Sequence, residues 1–158
     1  MRYENDCQIL SEELCEKWRE IYNILQYKSD YFAFVFYAAK VKNEDENLNA
    51  VREIQSSPLL KKLSNYFVES KLCNKFGTEK KQKKGKKGYF LSDNWYIYRT
   101  TKESIRILKQ IKTLFYEDDY IGQADMYFMK GNKIVLFTIQ HESYCYADRQ
   151  ILEEIKKW

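Results

Sequence analysis

The sequence predicts a single α+β domain, a mostly antiparallel sheet with helices packed on one face. Three observations predict it. Apolar residues at helical spacing recur in four stretches, separated by short runs rich in aromatic and β-branched residues. The strand-like runs come in pairs joined by short turns, as antiparallel neighbours do. At 158 residues the chain suits one core, and it shows no internal repeat.

Taken in order, residues 11–27 read as an amphipathic helix. Ser11 is the N-cap, and Glu12, Glu13 and Glu16 lie near the positive end of the helix dipole. Leu14, Trp18, Ile21, Tyr22 and Leu25 form its core face. Tyr31 to Ala39, YFAFVFYAA, suits a buried strand, with a helix as the competing reading. Residues 40–50 are polar and read as a loop running into a short helix. Ser57-Pro58 starts a second long helix, with Leu59, Leu60, Leu63, Phe67 and Leu72 inward and an end near Cys73–Gly77. Residues 78–88 contain EKKQKKGKKG, which has nothing to bury and reads as an exposed, mobile loop. Tyr89–Leu91 and Trp95–Arg99 then form a hairpin across Ser92-Asp93-Asn94. Thr100 opens a helix to about Tyr116, with a capping box to Glu103.

The last third carries the clearest pattern. Ala124, Met126 and Phe128 alternate with Asp125 and Tyr127. A Lys130-Gly131-Asn132 turn leads into Ile134 to Ile139, a run apolar on both sides and therefore central or covered on both faces. Gln140-His141-Glu142 interrupts it, Tyr144 to Tyr146 resume a strand, and Asp148 caps a final helix from Arg149 to Trp158.

Composition narrows the function classes. No apolar run reaches the length of a membrane span. The start, MRYENDCQ, has no apolar signal-peptide region, which points to a cytoplasmic protein. Cys7, Cys15, Cys73 and Cys145 lie far apart, so free thiols are expected, with no zinc site and no cofactor. The net charge of +4 conceals a division along the chain. Residues 57–116 hold 15 basic and 4 acidic residues, whereas residues 1–56 and 117–158 are net acidic. Such asymmetry favours steered association with a charged partner.

No catalytic motif stands out. His141 beside Glu142 has the chemistry of a general base, but no nucleophile motif surrounds it, and Cys145 stands where an HExxH motif needs histidine. Asp118, Asp119 and Asp125, with Lys133, are the residue types of a metal-dependent nuclease. The ordinary reading of Glu117-Asp118-Asp119 is a solvated turn. Lys80, Lys81, Lys83, Lys84, Lys86 and Lys87 suit phosphate contacts, with Tyr89 and Trp95 nearby for stacking, and make a nucleic-acid-binding module the alternative function. The surface preferred here combines Glu117, Asp118, Asp119, Tyr120, His141, Glu142 and Tyr144. Tyrosines among acids on a rigid sheet make protein-binding surfaces.

The segment YEDDYIGQADMYFMKGNKIVLFTIQHESY, within Trp95 to Tyr146, resembles immunity proteins of bacterial contact-dependent and related toxin systems. Many of these are small cytosolic α+β proteins whose last strands end in a His-Glu pair. The resemblance implies a non-enzymatic inhibitor that binds one toxin domain directly, with Glu117–Asp119 and His141-Glu142 at the interface. The Lys80–Lys87 segment departs from the acidic character usual in inhibitors of nucleases.

Overall fold

The structure, a computed structural model, describes residues 7–75, 77–85 and 87–158. It is an α+β fold built on a seven-stranded antiparallel sheet. In chain order the strands are β1 (Cys7–Ile9), β2 (Tyr31–Val35), β3 (Lys40–Val41), β4 (Phe67–Lys71), β5 (Phe90–Leu91), β6 (Trp95–Arg99), β7 (Asp125–Lys130), β8 (Lys133–Ile139) and β9 (Tyr144–Asp148). The large sheet runs β1-β9-β8-β7-β2-β6-β4, and β3 pairs with β5 in a separate two-stranded sheet. The helices are α1 (Glu12–Cys15), α2 (Trp18–Lys28), α3 (Glu44–Ile54), α4 (Pro58–Lys62), α5 (Lys102–Lys109) and α6 (Arg149–Lys156). Among the described residues no helix is long and apolar enough to cross a membrane.

Alternation along the strands sends two sets of side chains to opposite faces. On one face Phe32, Phe34, Tyr96, Tyr98, Met126, Phe128 and Leu136 meet Ile21, Tyr22 and Leu25 of α2, Ile105 and Leu108 of α5, and Ile151 and Ile155 of α6. Each fully buried phenylalanine here contributes about 1.5–3 kcal/mol of transfer free energy. The opposite face packs a second, smaller cluster around Ala33, Trp95, Ile97, Tyr127, Ile134 and Phe137, with no helix residue in it among the described residues. Its rings form a row: Trp95 to Tyr127 at 5.0 Å, Tyr127 to Phe137 at 5.3 Å and Phe137 to Tyr146 at 4.9 Å between centroids. Trp95 reaches Tyr127 across β2, where the small side chain of Ala33 sits opposite Tyr127. Gly77, at φ +80°, packs against the outer end of the Trp95 ring, and a Cβ there would lie 3.2 Å from it.

The β7–β8 hairpin forms as the alternation predicts, with Gly131 at φ +57° in the turn and Asp30 accepting hydrogen bonds from the Gly131 N–H and the Lys130 ammonium. The run at Tyr31 is a strand, central between β6 and β7, and ends at Val35. Asp148 caps α6 as expected.

Four elements differ from the sequence expectation. The first helix breaks at Lys17, whose ψ of 36° separates α1 from α2. The helix expected from Ser57 to the region of Cys73 stops at Lys62. After a 3₁₀ turn at Ser64–Tyr66 the chain becomes β4, because Phe67 to Lys71 gain ladder bonds to β6 at the sheet edge. The helix expected to reach Tyr116 is only α5. Its last turns unwind through Gln110 to Lys112, where φ is +58°. Tyr89–Leu91 does not form a hairpin with Trp95–Arg99. Residues 92–94 are held instead by other segments: Ser92 exchanges bonds with Ala39, Asp93 N–H donates to Asn47, and the Asn94 amide bonds both backbone groups of Cys73. β5 is thereby turned onto β3.

Candidate partner-binding surface

The surface centres on the 3₁₀ turn Gln140–Glu142 that links β8 to β9. Its apolar strand ends in a polar residue, and that residue is buried. Gln140 N–H donates to Asp125 Oδ1 at 2.7 Å, and its side-chain amide donates to the Phe115 carbonyl at 2.9 Å. One residue therefore fastens the start of β7 and the chain before Glu117 to the turn. Ser143 then takes a left-handed φ of 55° so that β9 can start.

The acidic segment is fixed just as firmly, by Asp118. Its Oδ1 accepts the N–H groups of Tyr120 and Ile121 at 2.8 and 2.9 Å. Its Oδ2 accepts the hydroxyls of Ser57 and Tyr116. Burial pushes the Asp118 carboxyl up, but the bonds from Ser57, Ile121, Tyr120 and Tyr116 outweigh it and hold the group below the usual carboxylate range. Ser57 also caps α4, so the acidic loop is tied to the core through a fully buried hydroxyl.

This scaffolding leaves the neighbouring side chains outward. Glu117 and Asp119 are exposed. Tyr120 is 50% and Tyr144 44% exposed. His141 and Glu142 both face solvent with Nε2 and Oε1 3.6 Å apart, since a 3₁₀ turn brings together neighbours that a strand would send to opposite faces. Of the seven residues singled out in the sequence, six therefore present side chains to solvent, and Asp118 is the internal anchor. Tyr127, on the neighbouring β7, is core.

The turn stands between two concave surfaces. His141 lines one, a cleft of about 700 Å³, with Tyr37, Asn74, Lys75, Trp95, Gln123, Asp125 and Tyr127 among its walls. Glu142 and Tyr144 line the other, of about 490 Å³, with Ile9, Glu12, Cys15, Lys112 and Phe115. In the first cleft the Asp125 carboxyl is pushed up by burial, against the pull of the Gln140 N–H and of His141. The indole N–H of Trp95 is buried with no hydrogen-bond partner among the described residues. Among the described residues the cleft has no serine, threonine or cysteine in its lining and a single carboxylate. The sequence did not single out Gln140, Asn74, Lys75 or Tyr37. Gln140 carried a signal, as the polar residue that closes an apolar strand.

The three aspartates considered for a metal do not come together. Asp118 is bound to its own loop, Asp119 is exposed, and Asp125 serves Gln140. Lys133, expected beside them, pairs with Asp148 at 3.2 Å. Among the described residues no group of three His, Cys, Asp or Glu side chains is placed to hold a metal ion.

Lys80, Lys81, Lys83, Lys84 and Lys87 are exposed, and Lys86 lies outside the described residues. Hydrogen bonds tie their segment down at several points. Lys80 N–H donates to Leu72, Gly85 N–H to Tyr89, and the Gln82 amide to the Leu91 carbonyl.

Comparison with protein-family models, with curated proteins and with solved structures finds no match.

Proposed function

We propose that the chain is a non-enzymatic protein-binding inhibitor, acting as an immunity protein that neutralises a toxin domain by direct contact. The observation that carries this reading is that Gln140 ties the chain just before the acidic segment to the His141–Tyr144 turn, while Asp118 fixes the acidic segment on its own loop. Preformed surfaces lose little entropy on association, and partly exposed tyrosines are efficient anchors. Tyr120 and Tyr144 supply the apolar contact, while Glu117, Asp119 and Glu142 supply charge for a basic partner surface. The exposed location of His141, with Glu142 beside it, suits an interface bond.

The test is binding to the product of the neighbouring gene, which this reading expects to be a toxin domain. Purified together, the two proteins form a complex of nanomolar affinity, and co-expression restores growth. Tyr120→Ala and Tyr144→Ala each weaken binding by about 2 kcal/mol or more if they are anchors, without change in the circular dichroism spectrum. A neighbouring toxin domain that neither binds nor is neutralised contradicts the reading.

A further inference from the structure

The lysine-rich segment is assembled into a surface that its composition alone does not reveal. β3 and β5 pair with Lys40 opposite Leu91 and Val41 opposite Phe90. Val41 is buried, so this side of the ribbon faces inward, and Lys40 and Leu91 share the outer side. Tyr89 stands two residues before Leu91. Lys40, Lys83, Lys87, Tyr89 and Leu91 line one concave surface of about 370 Å³, together with Gly85 and Phe90. Lys40 lies far from the others in sequence and is brought in only by the ribbon. Among the described residues no acidic side chain lines this concavity.

Among the described residues no carboxylate pairs with the charges on this surface. Lys71, Lys130, Lys133 and Lys157 each pair with a carboxylate. Among the described residues Lys40, Lys80, Lys81, Lys83, Lys84 and Lys87 form no salt bridge. The aromatic beside them is available: Tyr89 is 36% exposed. Clustered free ammonium groups around an accessible ring match a phosphate backbone with an unstacked base.

We propose that this surface binds single-stranded nucleic acid with little sequence preference. Lys40, Lys83 and Lys87 contact phosphates and Tyr89 stacks on a base. The exposed ring favours a single strand over a duplex, whose bases are already stacked. The concave shape and the ring favour it over an anionic membrane, which convex apolar wedges engage. Lysine without arginine offers charge but no bidentate reading of base edges, hence the sequence tolerance. The site is separate from the Tyr120–Tyr144 surface, and either assignment stands without the other.

The probe is a fluorescent oligothymidylate of about 20 nucleotides, long enough to cover a groove of this size. The intact chain binds it at low salt. With the three phosphates of Lys40, Lys83 and Lys87 contacted, affinity falls by about twentyfold between roughly 50 and 200 mM salt. The triple variant Lys40→Gln, Lys83→Gln, Lys87→Gln abolishes binding with the fold intact by circular dichroism. Tyr89→Leu, which keeps the charge, costs about tenfold for the single strand, as loss of one stacked base does, and nothing for a duplex of the same length. Absence of binding at low salt overturns the proposal. So does binding that survives the triple variant, tighter binding of the duplex, or preference for vesicles of anionic phospholipid.

Discussion

Asp118 accepts four hydrogen bonds from within the chain, and that fixes the consequence of removing it. Asp118→Ala leaves the buried Ser57 hydroxyl without this partner and frees the loop, so stability falls by about 1–3 kcal/mol. Because the folded-state pKa lies below the ordinary value of 3.8, the stabilising contribution is present above that pH and is lost as pH falls through the folded value. The gap between wild type and variant in urea unfolding therefore narrows below about pH 4. Asp125 has the opposite sign. Burial raises its pKa, so its ionised form costs stability above the folded value, and the cost disappears in acid. Asp125→Asn keeps an acceptor for the Gln140 N–H and removes the charge. It raises the melting temperature at pH 7, with a gain that fades toward pH 4. A loss at pH 7 would show that the carboxylate has an attractive partner that outweighs its burial.

At the scale of elements, caps and turns divide the legible from the hidden. Ser11, Asp148 and the Gly131 turn act as their residue types predict, because each is a local bond within a few residues. Asn43 with Glu44, Asp45 and Glu46 behind it is an equally plain start signal for α3, in a stretch read only as a loop with a short helix. The box at α5 sits one residue later than the Thr100–Glu103 reading. Thr101 and Ser104 cap each other, while Glu103 pairs with Arg106 and Thr100 accepts from Ser29. Both registers satisfy the local pattern, and the buried Ser104 decides between them. Thr101→Ala accordingly costs about 1 kcal/mol, and Thr100→Ala less, in matched denaturant curves. β4 was hidden for a different reason. Leu59, Leu60, Leu63 and Phe67 keep helical spacing across a boundary set by β6, which lies nearly thirty residues further on. Likewise the pairing of β5 with β3 depends on Ser92, Asp93 and Asn94 bonding to distant chain, which no local period records.

At the scale of the whole molecule, the α+β class with a mostly antiparallel sheet was legible, since paired strands and an amphipathic helix set leave few other layer arrangements; which face of the sheet stays open was not. The candidate surface was partly legible. Its acids and tyrosines stand out by type, but Asp118 turns inward and Gln140, which organises the rest, looks unremarkable until the Phe115 and Asp125 bonds are seen. The division of charge also survives folding in part, with the unpaired lysines gathered around the β3–β5 ribbon and Glu117, Asp119 and Glu142 exposed near the Gln140 turn. The central claim is that the Tyr120–Tyr144 surface holds a toxin domain. Its most direct test is calorimetric titration of the neighbouring gene's product, expected to be a toxin domain, with wild type and with the combined variant Tyr120→Ala, Glu142→Gln, Tyr144→Ala. Nanomolar binding by wild type, weakened by about a hundredfold or more in the folded variant, is the predicted result, since two anchors are removed. Equal affinity for both proteins would contradict the claim.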